Sequence, residues 1–316
     1  MTLNIYRRNE RGMVLLLMLL VLIGVATTTF LYSWNSARQN SERDQITQFA
    51  LEQAKTALLG RAVADLNSPG RFPCPEQPGI TPEGQADSNC TSSSKRLGRF
   101  PWKTLDQEKL LDGYGEPLWY VISENFTAPP INSVTPALLP LNGSTNTVVA
   151  LIIAPGPPLP GQNRPAVAAG AVLQRSDYLD LENAAGNTFV STGPINQFND
   201  KLISITQAEL LPLLHKRVLS EVRGRDTLTE GLRRYFNENG EFPWPDANGD
   251  GIADVGQSTG KIPSATLIFF ADTSKWLDKN NWLTLINYSR VTAASGQISL
   301  GSQSLKVLPC SAAPCP

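Results

Sequence analysis

Gly70-Arg71-Phe72-Pro73-Cys74-Pro75-Glu76 closes one helical stretch of this chain, and Gly240-Glu241-Phe242-Pro243-Trp244-Pro245-Asp246 closes another, Thr227 to Asn237, at an offset of 170 residues (240 − 70). Proline fixes φ, donates no backbone hydrogen bond and pushes the residue before it out of the helical region, so each Phe-Pro-x-Pro reads as an extended connector that stops a helix. Each leads into an acidic, glycine-containing loop. The theme returns in Gly98-Arg99-Phe100-Pro101-Trp102. Farther on, Leu111-Asp112-Gly113-Tyr114-Gly115-Glu116-Pro117-Leu118-Trp119-Tyr120-Val121-Ile122-Ser123 parallels the stretch from Leu277 to Ser289, turn residues followed by aromatic and β-branched ones, the pattern of a turn into a strand. A pattern used twice predicts two lobes of one design, each with a helix, a connector, a loop and antiparallel strands. The expected fold class is α+β: a long N-terminal α-helix, membrane-spanning in its first half, carrying a two-lobed head of helices and antiparallel β-sheets.

Between the lobes, Val148 to Ile153 is an unbroken apolar run of strand length, which predicts a buried strand, and Pro155 to Gly161 predicts a stiff loop. From Ile205 to Val222 the apolar residues Leu210, Leu211, Leu214 and Val218 fall at helical spacing. The expected division is a leader at 1–12, a long hydrophobic-to-amphipathic helix at 13–64, a first lobe at 65–204 and a second, repeated lobe at 205–316.

Upstream of the repeat, Met13 to Tyr32 (MVLLLMLLVLIGVATTTFLY) holds no charge, and Arg7, Arg8 and Arg11 precede it against Glu10 alone. Twenty apolar residues match the thickness of a bilayer core, and the basic flank predicts that the leader stays in the cytoplasm while the rest is translocated. No proline occurs before Pro69, and Ile46, Phe49, Ala50, Ala54, Ala57 and Leu58 keep helical spacing, so the helix is expected to run on to about Ala64. Over the whole chain 27 Lys and Arg face 28 Asp and Glu, which removes the basic footprint of a nucleic-acid binder.

Three fates are open to this segment: a plain anchor, a secretory signal cut after Ala26, or a leader cut after Gly12. In the third, Arg11-Gly12-Met13 resembles the leader of type IV pilins and type II secretion pseudopilins. The resemblance implies that a prepilin peptidase cuts between Gly12 and Met13 and leaves the apolar helix on the mature chain, which then packs against other pilin or pseudopilin subunits. It implies a single-pass inner-membrane protein with its head in the periplasm or at a filament tip. Leu17 stands at the fifth mature position, where shaft-forming pilins carry a glutamate. The large minor pseudopilin at the pseudopilus tip also lacks that glutamate, so the resemblance favours a tip or initiating subunit. Leu111 to Tyr120 is similar to the turn that precedes the sheet of major pseudopilins, with Tyr114 in place of a tryptophan.

Four cysteines in a translocated head are expected to be oxidised. Local spacing favours Cys74 with Cys90 and Cys310 with Cys315, among three permitted pairings. The sharpest chemical motif is Asp246-Ala247-Asn248-Gly249-Asp250-Gly251-Ile252-Ala253-Asp254. Side-chain oxygens of Asp246, Asn248, Asp250 and Asp254, with the Ile252 carbonyl and a glycine at position six, match the pattern by which a loop gathers hard Ca²⁺. Position twelve is Gln257, which supplies no bidentate carboxylate, and Pro245 argues against a helix–loop–helix frame. The loop is more similar to those of dockerin or thrombospondin repeats, with a plain Asp/Asn/Gly surface turn as the other reading. Glu83, Asp87 and Asn89 in the first lobe are too sparse for a metal.

No enzyme is expected. A single histidine, His215, excludes sites that need two, and Gln257 to Lys261 lacks a phosphate loop's first glycine. The expected function is structural: a minor pilin or pseudopilin subunit. The alternative is a membrane-tethered or secreted periplasmic binding protein, with or without a dependence on calcium.

Overall fold

The computed structural model describes residues 6–79, 81–164, 173–224, 230–269, 271–310 and 315, with side chains described throughout except at 6–12, 28–37, 145–147 and 271–274. With no proline to interrupt it, the backbone of the first helix, α1, is helical over Tyr6–Ala64. Within its apolar part, side chains are described for residues 13–27 alone. That stretch is about 22 Å long at 1.5 Å per residue, against a hydrocarbon core of about 30 Å. Among the described residues no helix is long and apolar enough to cross a membrane. The expected long N-terminal helix with a membrane-spanning first half is corrected on that ground, and the expected inner-membrane, single-pass location is corrected with it. The two disulfides are compatible with a periplasmic or extracellular location.

The C-terminal part of α1 buries a narrow face, Thr47, Ala50, Leu51, Ala54, Leu58 and Ala62. Ile46 and Phe49, expected on that face, point outward instead. The reason lies in the Leu111 to Gly115 turn. Gly113 donates its N–H to Thr47 Oγ1 at 2.9 Å, and a Cβ on Gly113 would stand 2.1 Å from the Arg43 carbonyl oxygen. Such a close approach fits only a face of small residues. Asp112 holds the turn with both carboxylate oxygens, accepting from the N–H groups of Tyr114, Glu116 and Gly156. The helix end is capped from outside: Arg217 donates to the carbonyl oxygens of Val63 and Asp65.

The first sheet contains β1 (Leu97–Arg99), β2 (Trp119–Ile122), β3 (Leu139–Leu141), β4 (Ser144–Ala154) and, after the short α2 (Leu181–Ala185), β5 (Lys201–Thr206). All pairings are antiparallel, with β2 on one side of β4 and β5 on the other. The unbroken apolar run in β4 follows from coverage on both faces. Val149, Ile152 and Ala154 enter the main core beside Tyr120 and Ile122, while Leu151 and Ile153 pack with Trp119, Val121, Tyr178 and Phe189 on the other side. Ile205 pairs with Ala150, so the expected lobe boundary falls inside β5. The helix expected from Ile205 begins two residues later as α3 (Gln207–Arg223), started by a capping box in which Glu209 N–H donates to Thr206 Oγ1 and Thr206 N–H donates to Glu209 Oε2.

Beyond α3 come α4 (Gly231–Asn239), β6 (Thr259–Lys261), α5 (Ala271–Lys279), β7 (Asn287–Thr292), β8 (Ser295–Leu300) and β9 (Gln303–Val307). The helix expected over Thr227 to Asn237 corresponds to α4, and residues 225–229 lie outside the described ones. The four strands form a second antiparallel sheet in chain order. α3 packs on β4 and β5 with one side and on β8 and β9 with the other, so Leu214 and Val218 join Tyr120 and Ile152 of the first sheet to Tyr288, Ile298 and Val307 of the second in one core.

The duplication is visible atom by atom. Tyr120 donates its hydroxyl to the Pro73 carbonyl at 3.2 Å, and Tyr288 donates to the Pro243 carbonyl at 3.0 Å. Glu76 bridges Arg99, and Asp246 bridges Lys261, each through two backbone hydrogen bonds. Gly98 lies opposite Tyr120 and Gly260 opposite Tyr288. At both glycines a Cβ would collide with a backbone oxygen, Glu76 O at 2.2 Å and Asp246 O at 2.3 Å. The register therefore differs from the one expected: Tyr120 matches Tyr288, an offset of 168 (288 − 120), where the aligned turns put it at 166 (277 − 111). Gly98-Arg99-Phe100-Pro101 matches Gly260-Lys261-Ile262-Pro263, and is thus the strand that receives a connector rather than a third copy of one. A shift of two keeps each side chain on its face, which is why the apolar pattern concealed it.

Candidate functional site

The acidic loop of the second lobe begins where the connector meets the sheet. Asp246 is buried and pinned by its backbone to Lys261, with its carboxylate turned into the loop. Its two oxygens accept the N–H groups of Gly249 at 2.6 Å and Gly251 at 2.8 Å, both glycines at positive φ, 84° and 86°, where other residues are strained. Asp254 Oδ2 accepts from Ala247 and Asn248, Asn248 Oδ1 accepts from Asp250, and Asp250 Oδ1 accepts from Ile252. Asn248 Nδ2 reaches Asp250 Oδ2 at 3.2 Å and Asp254 Oδ1 at 3.4 Å. The structure thus brings together Asp246, Asn248, Asp250 and Asp254, while the Ile252 side chain is exposed. The oxygens that accept one N–H keep a second lone pair for a cation. Among the described residues, however, no group of three or more His, Cys, Asp or Glu side chains stands close enough together to hold a metal ion, and the three loop aspartates are no exception.

The first lobe solves the same loop differently. Glu76, at the position of Asp246, is buried and accepts the Gly84 N–H at 2.8 Å; burial pushes its carboxyl above the usual range against the pull of that bond and of Arg99. Lys109 binds Glu83 at 2.6 Å and Lys95 binds Asp87 at 2.9 Å. The Lys109 hydrogen bond holds the Glu83 carboxyl below its ordinary value. Cys74 and Cys90 close this loop as a disulfide across 16 residues, and Cys310 and Cys315 form a second across 5, the pairings that local spacing favours. Among the described residues, no lysine or arginine forms an ion pair with Asp246, Asp250 or Asp254. Lys95 and Lys109 carried no sequence motif of their own, and only alignment of the two loops exposes them.

His215 is buried where the lobes meet. Its Nε2 lies 2.8 Å from Ser133 Oγ in the first lobe, its ring edge faces Trp282 in the second, and the β8–β9 turn presses Gly301 against Nδ1, where a Cβ would come within 2.7 Å. Burial lowers its pKa. Among the described residues Nδ1 has no hydrogen-bond partner, and none of their carboxylates orients the ring as a relay needs. Asn280 makes the neighbouring clasp, accepting the Ile131 N–H at 2.7 Å and accepting through its own carbonyl from Asn132 Nδ2 at 2.6 Å. His215 is thus a packed imidazole, one of the two placements its apolar helical stretch allowed, while Asn280 is a packing joint that the sequence did not single out.

Gly12 lies within the backbone of α1, its side-chain surroundings outside the described residues, and Met13 is exposed. From Met13 onward, twelve large apolar side chains through Val25 are between 51% and 71% exposed. The same helix places five of its later residues in the core of the head. No protein-family model, curated protein or solved structure matches the chain. Fold and sites together define a disulfide-stapled, duplicated α+β head built around a helix whose apolar beginning is exposed among the described residues.

Proposed function

We propose that this chain is an assembly subunit of the minor pilin or pseudopilin kind, serving the tip or the initiation of a type IV pilus or a type II secretion pseudopilus. The observation that carries this reading is the uncovered apolar stretch of α1. Each such side chain gains roughly 1.5–3 kcal/mol on full burial, so a dozen of them exposed together call for partners. Helices of sister subunits offer a matching apolar surface, and the duplicated head is presented outward. A prepilin peptidase would act between Gly12 and Met13. Sequencing the N-terminus of the mature protein tests this. A chain that starts at Met13 and co-purifies with filament components is the expected result; a start at Thr27 would favour a secreted binding protein, and an intact Met1 would remove the leader reading.

Calcium is a separate proposal. The loop carboxylates of the first lobe are neutralised by Lys95 and Lys109, while those of the second have no cationic partner among the described residues. Asp246, Asn248, Asp250 and Asp254, with the Ile252 carbonyl, would hold the ion, which would supply the missing positive charge. Titration calorimetry should give heat with calcium that is lost in Asp250→Asn/Asp254→Asn. No heat at millimolar calcium rejects the site.

A further inference from the structure

The sequence contains four Asn-x-Ser/Thr triplets: Asn89-Cys90-Thr91, Asn125-Phe126-Thr127, Asn142-Gly143-Ser144 and Asn287-Tyr288-Ser289. Such a triplet is an acceptor for N-linked oligosaccharide only where the asparagine amide is accessible and free to react, on the surface of a translocated protein. The two disulfides are compatible with that compartment.

Asn125 and Asn142 have their Nδ2 committed, and Asn287 is held within a sheet. Asn125 is half-buried and its Nδ2 donates to the Pro136 carbonyl at 3.1 Å. Asn142 is clamped at both ends, Nδ2 donating to Ser191 Oγ and Oδ1 accepting the Ser191 N–H, each at 2.9 Å. Asn287 sits in β7, a strand paired on both sides, with its Oδ1 accepting from Lys261 Nζ at 2.8 Å. Asn89 is the one of the four that combines three features, each of which another triplet shares only singly or in pairs. It is exposed, it belongs to no strand or helix, and its Nδ2 makes no hydrogen bond among the described residues. Its Oδ1 accepts the Thr91 N–H at 2.9 Å, which folds the chain so that Thr91 turns back on the carboxamide. Asp87 fixes the approach, accepting the Asn89 N–H at 3.2 Å while Lys95 holds its other oxygen. The Cys74–Cys90 bridge anchors the middle residue of the triplet.

We propose that Asn89 is the N-glycan acceptor of this protein. The donor is an oligosaccharide carried on a polyprenyl diphosphate and delivered by an oligosaccharyltransferase. Asn89 Nδ2 attacks the anomeric carbon, forming the Nδ2–C1 bond. The bond from C1 to the diphosphate oxygen breaks, the lipid diphosphate leaves with its electron pair, and one amide proton passes to a base of the transferase. This assignment does not rest on the filament reading.

The full-length, disulfide-bonded protein would be incubated with a purified transferase and lipid-linked oligosaccharide, beside a control peptide of sequence Asp-Ser-Asn-Cys-Thr, and tryptic peptides quantified by mass spectrometry. The expected result is a glycan on the Asn89 peptide in preference to the other three, lost in Asn89→Gln and in Thr91→Ala and retained in Thr91→Ser, a variant that keeps the hydroxyl and the disulfide. An unmodified Asn89 peptide alongside a glycosylated control peptide overturns the assignment, as does greater occupancy at Asn125, Asn142 or Asn287.

Discussion

Replacing Gly260 by alanine is the most direct probe of the duplicated architecture. The added Cβ would stand 2.3 Å from the Asp246 carbonyl oxygen, 2.7 Å from its carbon and 3.0 Å from the Ala247 nitrogen, all backbone atoms that no rotamer change can move. The bridge must open. It consists of the Lys261 N–H to Asp246 O bond at 2.7 Å and the return bond at 3.1 Å, and it holds the connector whose Pro243 carbonyl accepts from Tyr288. At about 0.5–1.5 kcal/mol for each bond, loss of the three amounts to roughly 2–4 kcal/mol. At around 2 °C per kcal/mol, the low end of the range expected for a chain this long, Tm should fall by about 4–8 °C. Thermal unfolding followed by tryptophan fluorescence measures this. Gly98→Ala, which collides with Glu76 O at 2.2 Å, should behave alike. Gly60→Ala is the control: it is helical, nothing stands within 4 Å of its Cβ, and it should raise stability by up to about 1 kcal/mol. If Gly260→Ala and Gly60→Ala unfold at the same temperature, the close approach of connector and strand is not what holds the lobes.

Asp200 is buried beside Asp180, with Arg164 nearby, and burial pushes its carboxyl up to about 7. A folded pKa above the unfolded value of 3.8 means that the folded state holds the proton more tightly, so this group's stabilisation is complete in acid and is lost as pH rises to 7, by up to about 4 kcal/mol. Comparing urea unfolding of Asp200→Asn and the parent at pH 5 and pH 8 should show the parent losing more, and equal losses would refute the assignment. His215 has the opposite sign: its pKa is lowered by burial, so its contribution is present above its unfolded value and lost as pH falls below 6.5. His215→Gln should flatten the stability curve between pH 7 and pH 5, and an unchanged slope would mean that the imidazole is not buried as described. Replacing Cys74 and Cys90 together by alanine should cost about 3 kcal/mol, and the same change at Cys310 and Cys315 about 2, because the shorter loop constrains the unfolded chain less; denaturant titration of both variants would reveal a reversed order.

What could be read in the chain was whatever repeats or punctuates. The Phe-Pro-x-Pro connectors, the buried strand of Val148 to Ile153 and the local cysteine pairs depend on proline geometry, apolar runs and short spacing, all of which survive in one dimension. The four oxygen-bearing residues of the Asp246 to Asp254 loop were equally visible, because their contacts are with backbone two to seven residues away. The outward turn of Ile46 and Phe49 was not, since it depends on a turn more than sixty residues later approaching the helix. Nor was Asn280, whose bonds cross about 150 residues.

By itself, then, the sequence determined that the head is an α+β duplication with an apolar beginning, and it favoured two local disulfides among three pairings, because each of these follows from neighbours along the chain. Only the tertiary structure decided the register between the copies, the lysines that answer the first lobe's carboxylates, and which of four asparagines is exposed, outside strands and helices, with an Nδ2 that makes no hydrogen bond among the described residues. Those depend on which backbone atoms come within a few ångströms of one another through space, and the order of residues along the chain does not encode that distance.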